Sequence, residues 1–202
     1  MSRSFLNRKF ALGTAALVGF WALFDCIHVV AKGPSAGAGD DKNQSLQAFA
    51  AVASVLTSPR CLNCHIPGES PLQGDESRPH NMSVKRGSDG RGTLGMRCTN
   101  CHPSENSFTP HAPPGASDWR LPPPETPMAW QGLGIGDLCR TLKDPAKNGG
   151  RTLPQLVEHF ETERLVLWAW NPGPGRVPPP ISHDQFVAKV KEWIETGTAC
   201  AQ

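Results

Sequence analysis

Apolar residues are spread along this chain in three different ways, and each predicts a different kind of segment. Phe10 to Phe24 is an uninterrupted apolar run, entered through Arg3, Arg8 and Lys9 and closed by Asp25. Four later stretches repeat apolar residues at helical spacing. Leu46, Phe49, Ala50, Ala53 and Leu56 predict a helix over 45–57, which Pro59 ends. A short helix is expected over Ile135 to Lys143, ended by Asp144-Pro145. Another begins at Thr152, where Thr152-Leu-Pro-Gln155 reads as a capping box with proline in the first turn, and it contains Leu156, His159 and Phe160. The last begins at Ser182, with Gln185 completing a second capping box. Its apolar face is Phe186, Val190, Trp193 and Ile194, and Gly197 stops it. The third pattern is the unbroken segment Leu165-Val-Leu-Trp-Ala-Trp170, closed by Asn171-Pro172 and expected to be buried. Its tryptophans read as packing groups.

What lies between is polar and punctuated. Residues 39–45 look like a solvated linker. Gly68 to Gly95 is broken by glycines, with Arg86 to Gly92 a run of turns, and Pro113-Pro114 and Pro122-Pro123-Pro124 keep 110–127 out of helix. Twenty glycines and twenty prolines in 202 residues make the chain loop-rich. The expected fold is mainly α, in a single domain covering 39–202.

The charged-then-apolar start has the layout of a secretory signal. Cleavage after Val29-Val30-Ala31 gives a signal peptide of residues 1–31, and Ala36-Gly37-Ala38 offers a second position as far as residue 38. The alternative is an uncleaved anchor, against which the apolar run is shorter than the roughly 20 residues that span a bilayer. Only in that case would the membrane be a partner. The expected location is the periplasm. Removing residues 1–31 takes three bases and one acid with it, leaving 17 of each, so nucleic acid is not an expected partner.

The chemistry is carried by two pentapeptides, Cys61-Leu-Asn-Cys64-His65 and Cys98-Thr-Asn-Cys101-His102. In Cys-x-x-Cys-His, two thiols add across the vinyl groups of a haem and the adjoining histidine reaches the iron from one face. Cysteines one helical turn apart meet neighbouring vinyls, and the next residue lands under the macrocycle. A four-thiolate zinc knot is the competing reading, but it leaves His65 and His102 without a role. Two covalent c-type haems are expected, with His65 and His102 as proximal ligands. Haem attachment outside the cytoplasmic membrane agrees with export. Of seven cysteines, Cys26 falls in the leader and four belong to the motifs, leaving Cys139 and Cys200 as an expected disulfide.

The sixth ligands decide what such irons do. With no tyrosine in the chain, histidine and methionine are the candidates. For the first haem His80 is preferred, in a connector able to fold back, with Met82 close behind. For the second, His111 and His159 compete. His183, in the first turn of a helix, is expected to be merely exposed. Arg60 and Arg97 each abut a motif cysteine and are candidates to neutralise propionates, with Arg86 and Arg91 behind them.

The two motifs resemble those of multihaem c-type cytochromes. Ala112-Pro-Pro-Gly-Ala-Ser-Asp-Trp119, Leu121-Pro-Pro-Pro124, Met128-Ala-Trp-Gln-Gly132 and Trp168-Ala-Trp-Asn-Pro-Gly173 are similar to a bacterial group of small dihaem proteins labelled isoquinoline 1-oxidoreductase subunit. The first resemblance implies an electron carrier serving redox partner proteins, either a donor dehydrogenase or a membrane electron-transport complex. The second implies the electron-accepting subunit of a molybdenum hydroxylase-type oxidoreductase. Dihaem peroxidase and haem-based sensor are the rivals, both of which need one open iron position.

Overall fold

A computed structural model describes residues 37–202. The expected leader therefore lies outside the described residues, apart from its alternative end at 38. The described part contains six helices and little sheet, a mainly α fold as expected; four of the helices match the apolar periodicities, and two short ones were not predicted. Helix α1 (Ala38–Leu56) is followed by a single turn, α2 (Pro59–Leu62), which carries the first motif cysteine. Two short antiparallel hairpins come next: β1 (Leu72–Gln73) with β2 (Arg78–Pro79), then β3 (Gly92–Thr93) with β4 (Met96–Arg97). After a long stretch without regular structure come α3 (Ile135–Lys143), α4 (Leu153–Thr162), α5 (Arg164–Trp168) and α6 (His183–Glu195). No helix among the described residues is long and apolar enough to cross a membrane.

The core lies where helical faces meet. Phe49, Val52, Ala53 and Leu56 of α1 are buried with Leu138 and Leu142 of α3, Leu156 and Phe160 of α4, and Phe186, Val190 and Trp193 of α6. Phe49 packs against Trp193 with ring centres 5.0 Å apart, and Phe160 meets Phe186 edge-on at 5.0 Å. Both expected capping boxes are present. Thr152 and Ser182 each accept from the backbone N–H of the glutamine three residues on, and that glutamine accepts from the cap's own N–H. Cys139 and Cys200 form the expected disulfide, with Cα atoms 5.6 Å apart, pinning the C-terminus to α3.

Two expectations are corrected. Residues 39–45 are not a linker but the first turns of α1. Asp40 and Asp41 sit in its first turn, where their charge opposes the helix dipole. Ser45 is wholly buried, donating to the Trp193 carbonyl and accepting from the N–H of Ala199, so a polar residue serves a tertiary contact with α6. The segment 165–170 is only partly buried: Ala169 is enclosed, while Leu167 is 38 % exposed.

Candidate functional site

The first motif lies beside the helical core. The turn of α2 and the residues after it place Cys61, Cys64 and His65 in the wall of a cavity of about 1010 Å³ of empty space, part of it open to solvent. Val55, Leu56, Phe160, Val166, Ala169 and Phe186 supply its apolar lining. Its charged residues are Arg60, Arg120, Arg151 and Glu163, an excess of positive charge in an otherwise apolar space.

His65 is held on three sides. Its Nδ1–H donates to the Met128 carbonyl at 2.9 Å, its ring stacks on Trp130 at 3.6 Å with the planes 1° apart, and its own carbonyl accepts from the Trp130 backbone N–H. A carbonyl only accepts, so the proton sits on Nδ1 and the Nε2 lone pair is left free. This is the outer-shell arrangement that orients a metal-ligating histidine. Burial pushes the His65 imidazole down to about 4, so it is neutral at pH 7. His159, on α4, lines the same cavity and is also pushed down to about 4 by burial. Burial raises the Cys61 thiol to about 12 and the Cys64 thiol to about 11.

The second motif repeats the construction on loops. Cys98–Asn100 forms one turn after β4. The Nδ1–H of His102 donates to the Pro114 carbonyl at 2.9 Å, and its ring stacks on Trp119 at 4.4 Å with the planes 6° apart. Gly115 makes this seat possible: a Cβ there would stand 2.0 Å from the Glu105 carbonyl oxygen, where the chain crosses itself at the Glu105–Ala116 bridge. Cys101 is exposed, and Leu94, Met96, Met82 and Phe108 are exposed apolar residues of the same part of the chain.

The other histidines separate into three kinds. His80 faces His102, not His65: the ring centres are 6.1 Å apart, and the Nδ1–H of His80 donates to the Asn81 carbonyl, leaving Nε2 free. Two imidazoles bonded to one metal ion at roughly 2.0 Å each have centres about 6 Å apart, so this spacing suits a shared iron. His159 lines the cavity of the first motif while His80 lies beside His102, the reverse of the placement expected from chain order. His111 is exposed in a left-handed turn (φ 60°) beside Gly175. His183 is half-buried, correcting the expectation of exposure; its Nε2 bonds the Phe160 carbonyl at 2.8 Å. Met82 is 70 % exposed.

The arginines have partners of their own. Arg60 is buried and pairs with Asp75, yet its Nε has no hydrogen-bond partner and the residue lines the first cavity. Arg97 pairs with Asp89 through both oxygens at the surface, and Arg91 does the same with Asp118. Arg86 is 1 % exposed and donates to the carbonyls of Ile66, Gly68 and Pro122, which makes it a loop brace. Sequence reasoning missed Trp119 and Trp130 as stacking partners. It also missed Trp119 as a shared wall, since that residue lines the first cavity while stacking on the second motif's histidine.

No protein-family model, curated protein or solved structure matches the chain. Among the described residues, no three Cys, His, Asp or Glu side chains converge as metal ligands. The four motif thiols therefore do not gather around one point, as a zinc knot would require.

Proposed function

We propose that the chain is a dihaem c-type cytochrome that carries electrons outside the cytoplasmic membrane. The observation that supports this best is the duplicated seat. At both motifs a histidine next to two cysteines gives its Nδ1–H to a carbonyl, lies flat on a tryptophan, and directs a free Nε2 away from both. The residues fit the group: thiols in the wall of an apolar cavity, positive charge for propionates, and orphaned donors at Arg60 and Trp130. Cys61 and Cys64 would hold one haem and Cys98 and Cys101 the other, with His65 and His102 as proximal ligands. His159 is the distal candidate for the first iron and His80 for the second. Bound haem supplies one-electron chemistry at its iron.

The chain's own residues do the rest. They orient the two motif imidazoles, favour the neutral form of His65, His102 and His159 by burial, line the first site with apolar side chains, and leave the second at the surface for redox partner proteins. Intact mass of protein made in a haem-attaching host tests the reading. The expected mass is the cleaved chain plus two haems, with low-spin spectra at both irons and no carbon monoxide binding to the reduced protein. A haem-free mass overturns the proposal. Two haems with one binding carbon monoxide would replace the carrier by a peroxidase or sensor.

A further inference from the structure

Asn106 belongs to neither motif, yet three hydrogen bonds meet on its side chain. Its Oδ1 accepts from the Gly115 backbone N–H at 2.9 Å and from the Trp168 indole Nε1–H at 3.1 Å. Its Nδ2 donates to the Asn171 carbonyl at 2.6 Å. Two donors at one end and an acceptor at the other fix which way the amide points. Gly173 makes room for it: a Cβ there would stand 3.1 Å from Asn106 Cγ, on a backbone with φ 82°.

These bonds join parts of different sites. Gly115 follows Pro114, whose carbonyl holds His102. Trp168 ends α5 and lines the first cavity. Its ring meets Trp119 nearly at right angles with centres 4.9 Å apart, and Trp119 supplies the flat face on which His102 stacks. On either side of Trp119, Ser117 accepts from Arg164 at 2.9 Å and Arg120 pairs with Glu163 at 3.5 Å, both at the start of α5. The carbonyl and the aromatic face of the second seat thus hang from one short helix, and that helix is a wall of the first site.

We propose that Asn106 is a positioning residue for the second site. Through Gly115 and Trp168 it fastens both halves of the His102 seat to α5, so that the wall of the first site sets the imidazole plane of the second. The spectroscopic consequence rests on the dihaem reading. A displacement of α5 then reaches His102 without touching it.

The test uses the holoprotein as Asn106→Leu, Asn106→Asp and Trp168→Phe, each checked for two haems by mass. In electron paramagnetic resonance of the oxidised protein, the largest g value of a low-spin haem follows the orientation of its axial imidazole planes. The second haem's signal is the one lost when Cys98 and Cys101 are both replaced by alanine. Asn106→Leu should shift that signal and leave the other in place. Asn106→Asp keeps the accepting end and should shift it less. Trp168→Phe should shift it as well, although Trp168 lines the first cavity, and it decides the matter if Asn106→Leu fails to load. Independently of haem, amide exchange at Gly115 should quicken about fivefold in Asn106→Leu, the worth of one hydrogen bond. An unshifted second signal in variants holding two haems, or wild-type exchange at Gly115, would overturn the proposal. A wild-type protein without haem would overturn the dihaem reading instead, and Gly115 exchange would still decide the joint.

Discussion

The two motifs build the same seat in opposite surroundings. His65 sits against a helical core, on a turn that follows α1 directly, facing a cavity lined by residues of α4, α5 and α6. His102 sits on loops, held by a proline carbonyl, a glycine crossing and surface ion pairs, with an exposed cysteine beside it. The orientation of a ligating imidazole is therefore a local matter, needing one carbonyl and one aromatic face. How dry the site is depends on the surrounding fold. Burial and nearby cations disfavour the oxidised, more positive iron, so the first haem is expected to have the higher potential.

The comparison breaks most sharply if the cysteines are removed in pairs. Cys61→Ala with Cys64→Ala should lose one haem by mass and destabilise the whole domain by on the order of 5 kcal/mol. The empty space would be larger than that left by truncating any buried aromatic side chain. Cys98→Ala with Cys101→Ala should also lose one haem, but leave helical circular dichroism and the main thermal transition largely in place. The two variants also assign the potentials, since the higher one should vanish only with the first pair.

Next come the distal histidines. His159→Ala is expected to make one haem high-spin and able to bind carbon monoxide. His80→Ala should do the same to the other, and the surface site should react faster with ligand. If His80→Ala altered the higher-potential haem, the pairing read from the 6.1 Å ring separation would be wrong. Gly115→Ala should cost about 1–3 kcal/mol, because its Cβ overlaps the Glu105 carbonyl oxygen; the shifted Pro114 carbonyl should perturb only the second haem's spectrum.

The smallest effect concerns acid. Hydrogen bonds from Arg97 and from the Arg91 N–H hold the Asp89 carboxyl down at about 2, below its unfolded value of roughly 3.9. Its support of the β3–β4 hairpin is complete above that unfolded value and fades as the pH falls through about 2. Amide exchange in this hairpin should quicken over that window and not in α6. Asp89→Asn should remove the dependence.

The helical half was legible in the sequence because its rules are local: period, caps and breakers. Thr152 with Gln155, and Ser182 with Gln185, are cases where four residues declare a helix start. The disulfide was legible by elimination. That His65 and His102 deserved attention was legible from their spacing after the paired cysteines, and both take the same seat on a carbonyl and a tryptophan. Where His80 and His159 would lie was not legible, because long loops fold by tertiary contacts that leave no period. Nothing near His80 announces that it lies beside a residue 22 positions on, and His159 reads as an ordinary core position of α4. Ser45 shows the same limit from the other side: polar by type, it is buried by a partner 148 residues away.

The Cys139–Cys200 bridge has a consequence for biogenesis. Six cysteines from Cys61 onward can pair in 15 ways, and an oxidising compartment begins pairing them on arrival. Once four thiols are consumed as thioethers, a single pairing remains and oxidation can no longer go wrong. On the dihaem reading, haem capture would act as a proofreading step for the disulfide. A host exporting this chain without haem attachment should accumulate scrambled, protease-sensitive isomers.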